Sequence, residues 1–284
     1  MKLYKILTLC IISFSALCIK AQDGSSAYNF LNISNSARIY GLGGVNITSI
    51  EDDIMTIDQN PALLGSEMDN QLGFSYMRYL GDSNFAGLRY GKAIGDHGAL
   101  AIGLQYFGYG SIKGADENGV LTGEFSPKDI SFGAAYSYDL NDNIRIGANL
   151  KFLSSSYEQY SAFAVATDLG INYFNTDKDL SLSAVVANLG GQLKKFNESY
   201  DRLPIDVRLG ITKGLGSSPI RLSITAWNLT KWSLPYYDAG DGTESSEPEI
   251  KESFMSNLFR HLIFATDWAT NEKFYETLSY NYKP

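Results

Sequence analysis

Residues 129–140 read DISFGAAYSYDL and residues 143–152 read NIRIGANLKF, and both stretches alternate in the same way. Ile130, Phe132, Ala134, Tyr136 and Tyr138 fall on one side of an extended chain, with Ser131, Gly133, Ala135 and Ser137 on the other. In the second stretch Ile144, Ile146, Ala148, Leu150 and Phe152 oppose Arg145, Gly147, Asn149 and Lys151. A period of two marks a β-strand, because successive side chains leave the pleat on opposite faces. Two all-β architectures give that pattern. A sandwich buries its apolar face against a second sheet, whereas a membrane barrel turns that face to lipid and lines its interior with small and polar residues.

The same period recurs from about residue 71 onward. It predicts strands near 71–80, 84–93, 98–107, 129–138, 143–153, 162–174, 180–188, 205–213, 219–229, 260–269 and 274–282. The connections then decide between the architectures. Those after even-numbered strands are short: IGDH, DLNDN, NTDKD, GLGSS and ATNEK. Those after odd-numbered strands become long, at roughly 108–128, 154–161, 189–204 and 230–259, with only the first, GDSN, short. Outer-membrane barrels keep short turns on the periplasmic rim and long loops outside, a parity that a soluble sandwich has no reason to keep. Aromatics stand near strand ends, where a ring with a polar tip suits the headgroup layer; Tyr109, Tyr157, Tyr160, Trp227, Trp232 and Tyr236 are the expected interface residues. The expected fold is therefore an all-β transmembrane antiparallel barrel over residues 69–284. Eleven strands is an odd number, and bacterial single-chain barrels are even, so the C-terminal closing strands are expected to be missing.

The chain opens as a secretory signal, with Lys2 and Lys5 followed by an apolar run from Ile6 to Ile19 and a cut expected after Ala21. A signal of residues 1–21 carries away both cysteines, Cys10 and Cys18, so no disulfide or thiolate site is expected in the mature chain. Loss of Lys2, Lys5 and Lys20 takes the formal charge from −8 to −11, which argues against a nucleic-acid partner.

Residues 22–68 keep no period of two and include GLGGVNITSIEDDIMTIDQNPALLGS at 41–66. The glycine cluster of Gly41, Gly43 and Gly44 has neither the third glycine nor the lysine of a phosphate loop. Glu51, Asp52, Asp53 and Asp58 do not keep the alternate spacing of a calcium loop. The preferred reading is a plug without chemistry of its own. In it a short helix from Ile50 to Ile57 starts at Ser49 as N-cap and ends in the turn at Asn60-Pro61, followed by Ala62 and Leu63. The plug motif is Gly41, Gly43, Gly44, Asp52, Asp53, Asn60, Pro61, Ala62 and Leu63.

NSARIYGLGG (35–44), EDDIMTIDQNPALL (51–64) and NQLGFSYMRYLGDSNFAGLRYG (70–91) resemble the start of FadL-like outer-membrane proteins, and within them the PorV/PorQ family of the type IX secretion system. The likeness continues through IGLQYFGYGSIKGADENG, GEFSPKDISFGAAYSY, the stretch at 146–175, LPIDVRLGITK and RLSITAWNLTKW. It implies a barrel of about fourteen strands with an N-terminal hatch, the even count that barrels need. It further implies a non-enzymatic outer-membrane component that holds a surface partner, PorZ, within the attachment complex. The alternative is a FadL-like channel for hydrophobic small molecules. No cofactor or metal is expected. His97 and His261 have no nucleophile motif beside them, and the acidic stretch YYDAGDGTESSEPEIKE reads as a solvated surface loop.

Overall fold

The structure, a computed structural model, describes residues 28–49, 51–115, 120–196, 200–216, 218–232, 254–271 and 274–281. Most of it is β-strand. The strands are β1 (Leu72–Arg78), β2 (Asn84–Ile94), β3 (Gly98–Gly108), β4 (Ile112–Ala115), β5 (Leu121–Phe125), β6 (Lys128–Asn141) and β7 (Ile144–Tyr157). They continue with β8 (Tyr160–Asn175), β9 (Leu180–Lys194), β10 (Asp206–Gly214), β11 (Ile220–Ala226), β12 (Leu262–Asn271) and β13 (Phe274–Asn281). One antiparallel sheet of eleven strands runs β1-β2-β3-β6-β7-β8-β9-β10-β11-β12-β13, each strand beside its neighbour in the chain apart from the excursion at β4 and β5. Those two form a separate hairpin.

The alternation read from residues 129–152 sets the two faces. Ile102 pairs with Ala134, Ala134 with Leu150 and Leu150 with Thr167, a row on the outer face. The row beside it, Gly103, Gly133, Lys151 and Ala166, faces inward. Leu150 is 44% exposed, Phe132 46% and Ile146 39%, and Leu104, Tyr136, Leu169, Ile171, Leu209, Ile211, Leu222 and Ile224 are likewise exposed. The inward side holds buried polar groups: Arg89, Gln105, Ser131, Ser137, Asn149, Lys151, Asp168, Asn172, Arg208, Ser223 and Asp267. Polarity is thus inverted relative to a sheet folded in water, where the apolar face is the covered one.

Residues 28–68 cover that polar face. They touch every strand of the large sheet, from Met55 against Gly73 of β1 to Gly41 against Thr277 of β13. In between lie Arg89, Gln105, Ser137, Gly147, Gly170, Gln192, Gly210, Ser223 and Asp267, one contact point on each strand from β2 to β12. Neighbouring strands stand about 4.8 Å apart, so eleven laid flat would span roughly 50 Å. A single short segment reaches all of them only because the sheet curls around it. The sheet does not close. β1 and β13 are its two edges and do not pair with each other, and alternation over eleven antiparallel strands makes them run in the same direction.

The structure departs from the sequence reading in three places. The connection expected at 154–161 is a two-residue turn between β7 and β8, with Glu158 at φ 53°. Ser154, Ser155 and Ser156 read as loop because they are polar, yet they pair in register with Phe163, Ala162 and Ser161. The loop expected at 108–128 contains the hairpin of β4 and β5. Of the helix expected over Ile50–Ile57, Ile50 lies outside the described residues, and among 51–57 only the turn Ile54–Thr56 is helical. The backbone N–H of Ser49 binds Asn46 Oδ1 at 3.0 Å, and Asp53 instead caps a 3-10 turn, Ile54–Thr56, by accepting from Met55 N at 2.9 Å.

Candidate functional site

The covered face and residues 28–68 form one interior with three levels. At the long-loop end Tyr28 and Phe30 join Phe85, Phe107, Leu153, Ala162, Ala164 and Leu203 in an apolar cluster. Beside it runs an aromatic ladder, Tyr79 on Phe107, Phe107 on Tyr109, Tyr109 on Tyr157 and Tyr157 on Phe196. Tyr109 donates to Asp129 Oδ2 at 2.6 Å, and Tyr157 Oη lies 3.0 Å from both that oxygen and Tyr109 Oη. Burial, with the Asp129 carboxylate adding to it, pushes the Tyr109 hydroxyl up to about 12. Tyr109 and Tyr157 therefore face the interior. Tyr160 and Trp232 are exposed, Trp227 packs beside Val45 and Ile47, and Tyr236 lies outside the described residues.

The middle level is charged. Asp58 pairs with Arg89 of β2 and takes further hydrogen bonds from Asn35 and from Gln105 at 3.1 Å. Lys151 of β7 meets Asp168 of β8 at 2.7 Å and Asn188 of β9 at 2.5 Å, while Arg208 and Asp206 of β10 pair at 2.5 Å. Taking such groups out of water is costly unless each finds its counter-ion and its hydrogen bonds, so these pairs fix the positions of the elements that carry them. Three pairs cross from the inner segment to the wall: Asp58–Arg89, Arg38–Asp267 and Glu67–Arg145, the last at 3.1 Å.

The Asn60-Pro61 part of the plug motif packs the short-turn end, whereas its glycine cluster lies against Ile263 of β12 and Ser279 of β13, toward the long loops. The short helix Ala37–Gly41 leaves through Leu42, and Gly44 N reaches back to Ile39 O at 2.9 Å. Gly43 and Gly44 take φ of 93° and 89°, a left-handed exit that glycine enters at little cost, so the cluster is a helix stop rather than a phosphate cradle. Asn60 is fully buried; its Oδ1 accepts from Ala62 N at 2.9 Å and its Nδ2 donates to Ile47 O at 3.0 Å. That side-chain cap starts the 3-10 turn Pro61–Leu63, with proline in the first turn, where its missing N–H costs nothing. Pro61 and Asn60 lie so close to Gly147 of β7 and Gly170 of β8 that a Cβ at either glycine would overlap them.

Gly147→Ala and Gly170→Ala are each expected to cost about 1–3 kcal/mol, since an added methyl there must push the turn inward. Unfolding of the purified chain in denaturant measures the loss; an unchanged midpoint would mean that the turn does not seat on these strands.

The four acids of the motif region diverge. Glu51 turns to Arg38, Asp52 is exposed, Asp53 caps a turn and Asp58 binds Arg89. Among the described residues no three His, Cys, Asp or Glu side chains converge on a metal-sized site. His261 is buried, with Nδ1 2.9 Å from Trp227 O and Nε2 3.0 Å from Trp232 O, which holds the chain after β11 against the start of β12. Sequence reasoning passed over Arg38, Arg89, Lys151, Asp168 and Arg208. Their signal was available for three of them, because Arg89, Lys151 and Arg208 are each a charge at an inward position between two outward apolar residues, as Lys151 is between Leu150 and Phe152.

No protein-family model matches the chain, and no curated protein matches it either.

Proposed function

We infer that this chain is an outer-membrane β-barrel component with a plugged interior. The observation that carries the reading is the inverted polarity. The outward face of nearly every strand is a field of exposed Leu, Ile, Phe and Tyr, and the mid-strand charges Arg89, Lys151, Asp168, Arg208 and Asp267 lie inside. Fully covering one such side chain is worth about 1.5–3 kcal/mol, and contiguous apolar surface beyond a few hundred Å² marks a membrane or partner interface. A lipid environment accounts for the whole face at once. In lipid an unpaired strand edge is expensive, so closure is required. Because β1 and β13 run in the same direction, an antiparallel bridge between them takes an odd number of further strands, as a fourteen-strand barrel would supply.

Within that class the resemblance of 35–44, 51–64, 70–91 and the later stretches supports a PorQ-type role in type IX secretion. On this reading the protein is non-enzymatic and presents its long-loop rim to PorZ or other attachment-complex members. The rim carries exposed apolar residues suited to a protein partner, among them Ile112 and Leu121 of the hairpin and Phe254 and Met255 of the helix Phe254–Arg260. Co-purification of PorZ with the full chain from outer membranes, and its loss when 233–253 is shortened, is the expected result. Retention of PorZ by the shortened chain, or no association with either, contradicts the secretion role. A FadL-like channel would need the plug to yield, and uptake of a fatty acid by reconstituted protein would favour it. Three ion pairs and a tightly seated Asn-Pro-Ala turn support a plug that stays in place instead.

A further inference from the structure

Arg38 on the helix Ala37–Gly41 divides its guanidinium between two carboxylates, Glu51 from the next stretch of the plug and Asp267 from β12. The three side chains are nearly covered, 12% exposed for Glu51 and 9% for Asp267, and one oxygen of each acid, Glu51 Oε1 and Asp267 Oδ1, has no hydrogen-bond partner. Beside them is a cavity of about 40 Å³, room for a few waters, with Leu42 and Phe174 on its apolar side and Asn46, Thr48, Arg221 and Asp267 on its polar side. Arg221 also faces this pair of acids but is shared with Asp179, so two cations serve three carboxylates, one negative charge too many for a buried site. A proton on one carboxyl removes the excess and supplies a donor for the unpartnered oxygens.

We propose that Glu51, Arg38 and Asp267 form a proton-binding latch, reached through this cavity, that holds the plug to β12 more tightly in acid than in alkali. The charged groups facing Glu51 are Arg38 from its own segment's helix, Asp267 from β12, Arg221 from β11 and Asp53 two residues on; Arg221 is itself drawn toward Asp179, at 3.6 Å. Burial raises the Glu51 carboxyl to about 7, overriding the pull of Arg38, and Asp267 adds to the rise. For an acid whose value is raised in the latched state, the contribution to holding is greatest at low pH. It declines as pH climbs from the free value of 4.5 to about 7, because the released form ionises first. The proposal needs only the plug and its wall, and stands whether or not the outer face meets lipid.

Hydrogen exchange of the full chain in detergent, followed over the amides of 38–49, tests it. With those two values the ratio of open to latched plug rises about tenfold between about pH 6 and about pH 8.5, after correction for intrinsic exchange. Glu51→Gln should abolish that rise while leaving exchange in β7 and β8 unchanged. Asp267→Asn, which leaves Arg38 a single acid, should move the rise to lower pH and shrink it in this window. A rise of equal size in wild type and Glu51→Gln, or no rise in wild type, overturns the latch.

Discussion

Replacing Leu150 with Arg is expected to lower stability in a bilayer by about 2–4 kcal/mol and to deplete the protein from outer membranes. Leu150 sits mid-strand on β7, 44% exposed, between Ala134 and Thr167 on its neighbours. In water such a change at an exposed position stays within about 0.5 kcal/mol and aids solubility. The two environments therefore give effects of different size and sign at one residue. Stability measured by denaturant in lipid vesicles, with membrane fractionation of cells, separates them. An innocuous Leu150→Arg would count against lipid on that face.

The second large effect is expected inside. Arg89→Met leaves Asp58 buried with only Asn35 and Gln105 as donors, and breaking a buried pair from one side costs about 3–5 kcal/mol. The double variant Asp58→Asn with Arg89→Met removes both charges and should recover much of that loss, since a buried pair is often no more stable than an apolar replacement. A double-mutant cycle on unfolding free energies reads the coupling directly. If Arg89→Met alone is harmless, the plug is not held at mid-height by this pair, and its anchorage must lie in the Asn60-Pro61 turn.

Much of the fold could be read from alternation because the outer face is uniform. One residue in two through the middle of β3, β6 and β7 is Leu, Ile, Phe, Tyr or Ala regardless of what lies opposite, and β8 departs from this only at Val165 and Thr167, so the strands declare themselves. Their ends do not. Ser154–Ser156 and Tyr157 project where both faces are polar, and periodicity in hydropathy vanishes although the ladder continues. The rim aromatics misled for a related reason, since composition places Tyr157 at a strand end without saying on which face. Register decides it: Asn149, Lys151, Leu153 and Ser155 face inward, and Tyr157 continues that row.

The segment over the polar face was legible in its local turns but not in its ties to the wall. Its local chemistry is short-range: the sequence marks a turn at Asn60-Pro61, and the structure shows Asn60 capping Pro61–Leu63 there. Its ties to the wall join residues far apart in the chain, Arg38 to Asp267 above all, and nothing local marks them as partners. Glu51 looked like one acid in a run of three. Only the curl of the sheet, which brings β12 over the helix Ala37–Gly41, gives it a partner and an altered proton affinity.

The central claim is that the outward side chains of the sheet meet acyl chains. Cys10 and Cys18 are the two cysteines of the chain, so with both replaced by serine a nitroxide can be attached singly at Leu150→Cys on the outer face or Asn149→Cys on the inner one, in protein reconstituted into lipid vesicles. Relaxation by oxygen, which concentrates in hydrocarbon, and by a water-soluble nickel chelate then reports each side chain's surroundings. The expected result is high oxygen and low chelate accessibility at 150, with little of either at 149. High chelate accessibility at 150 would contradict the account.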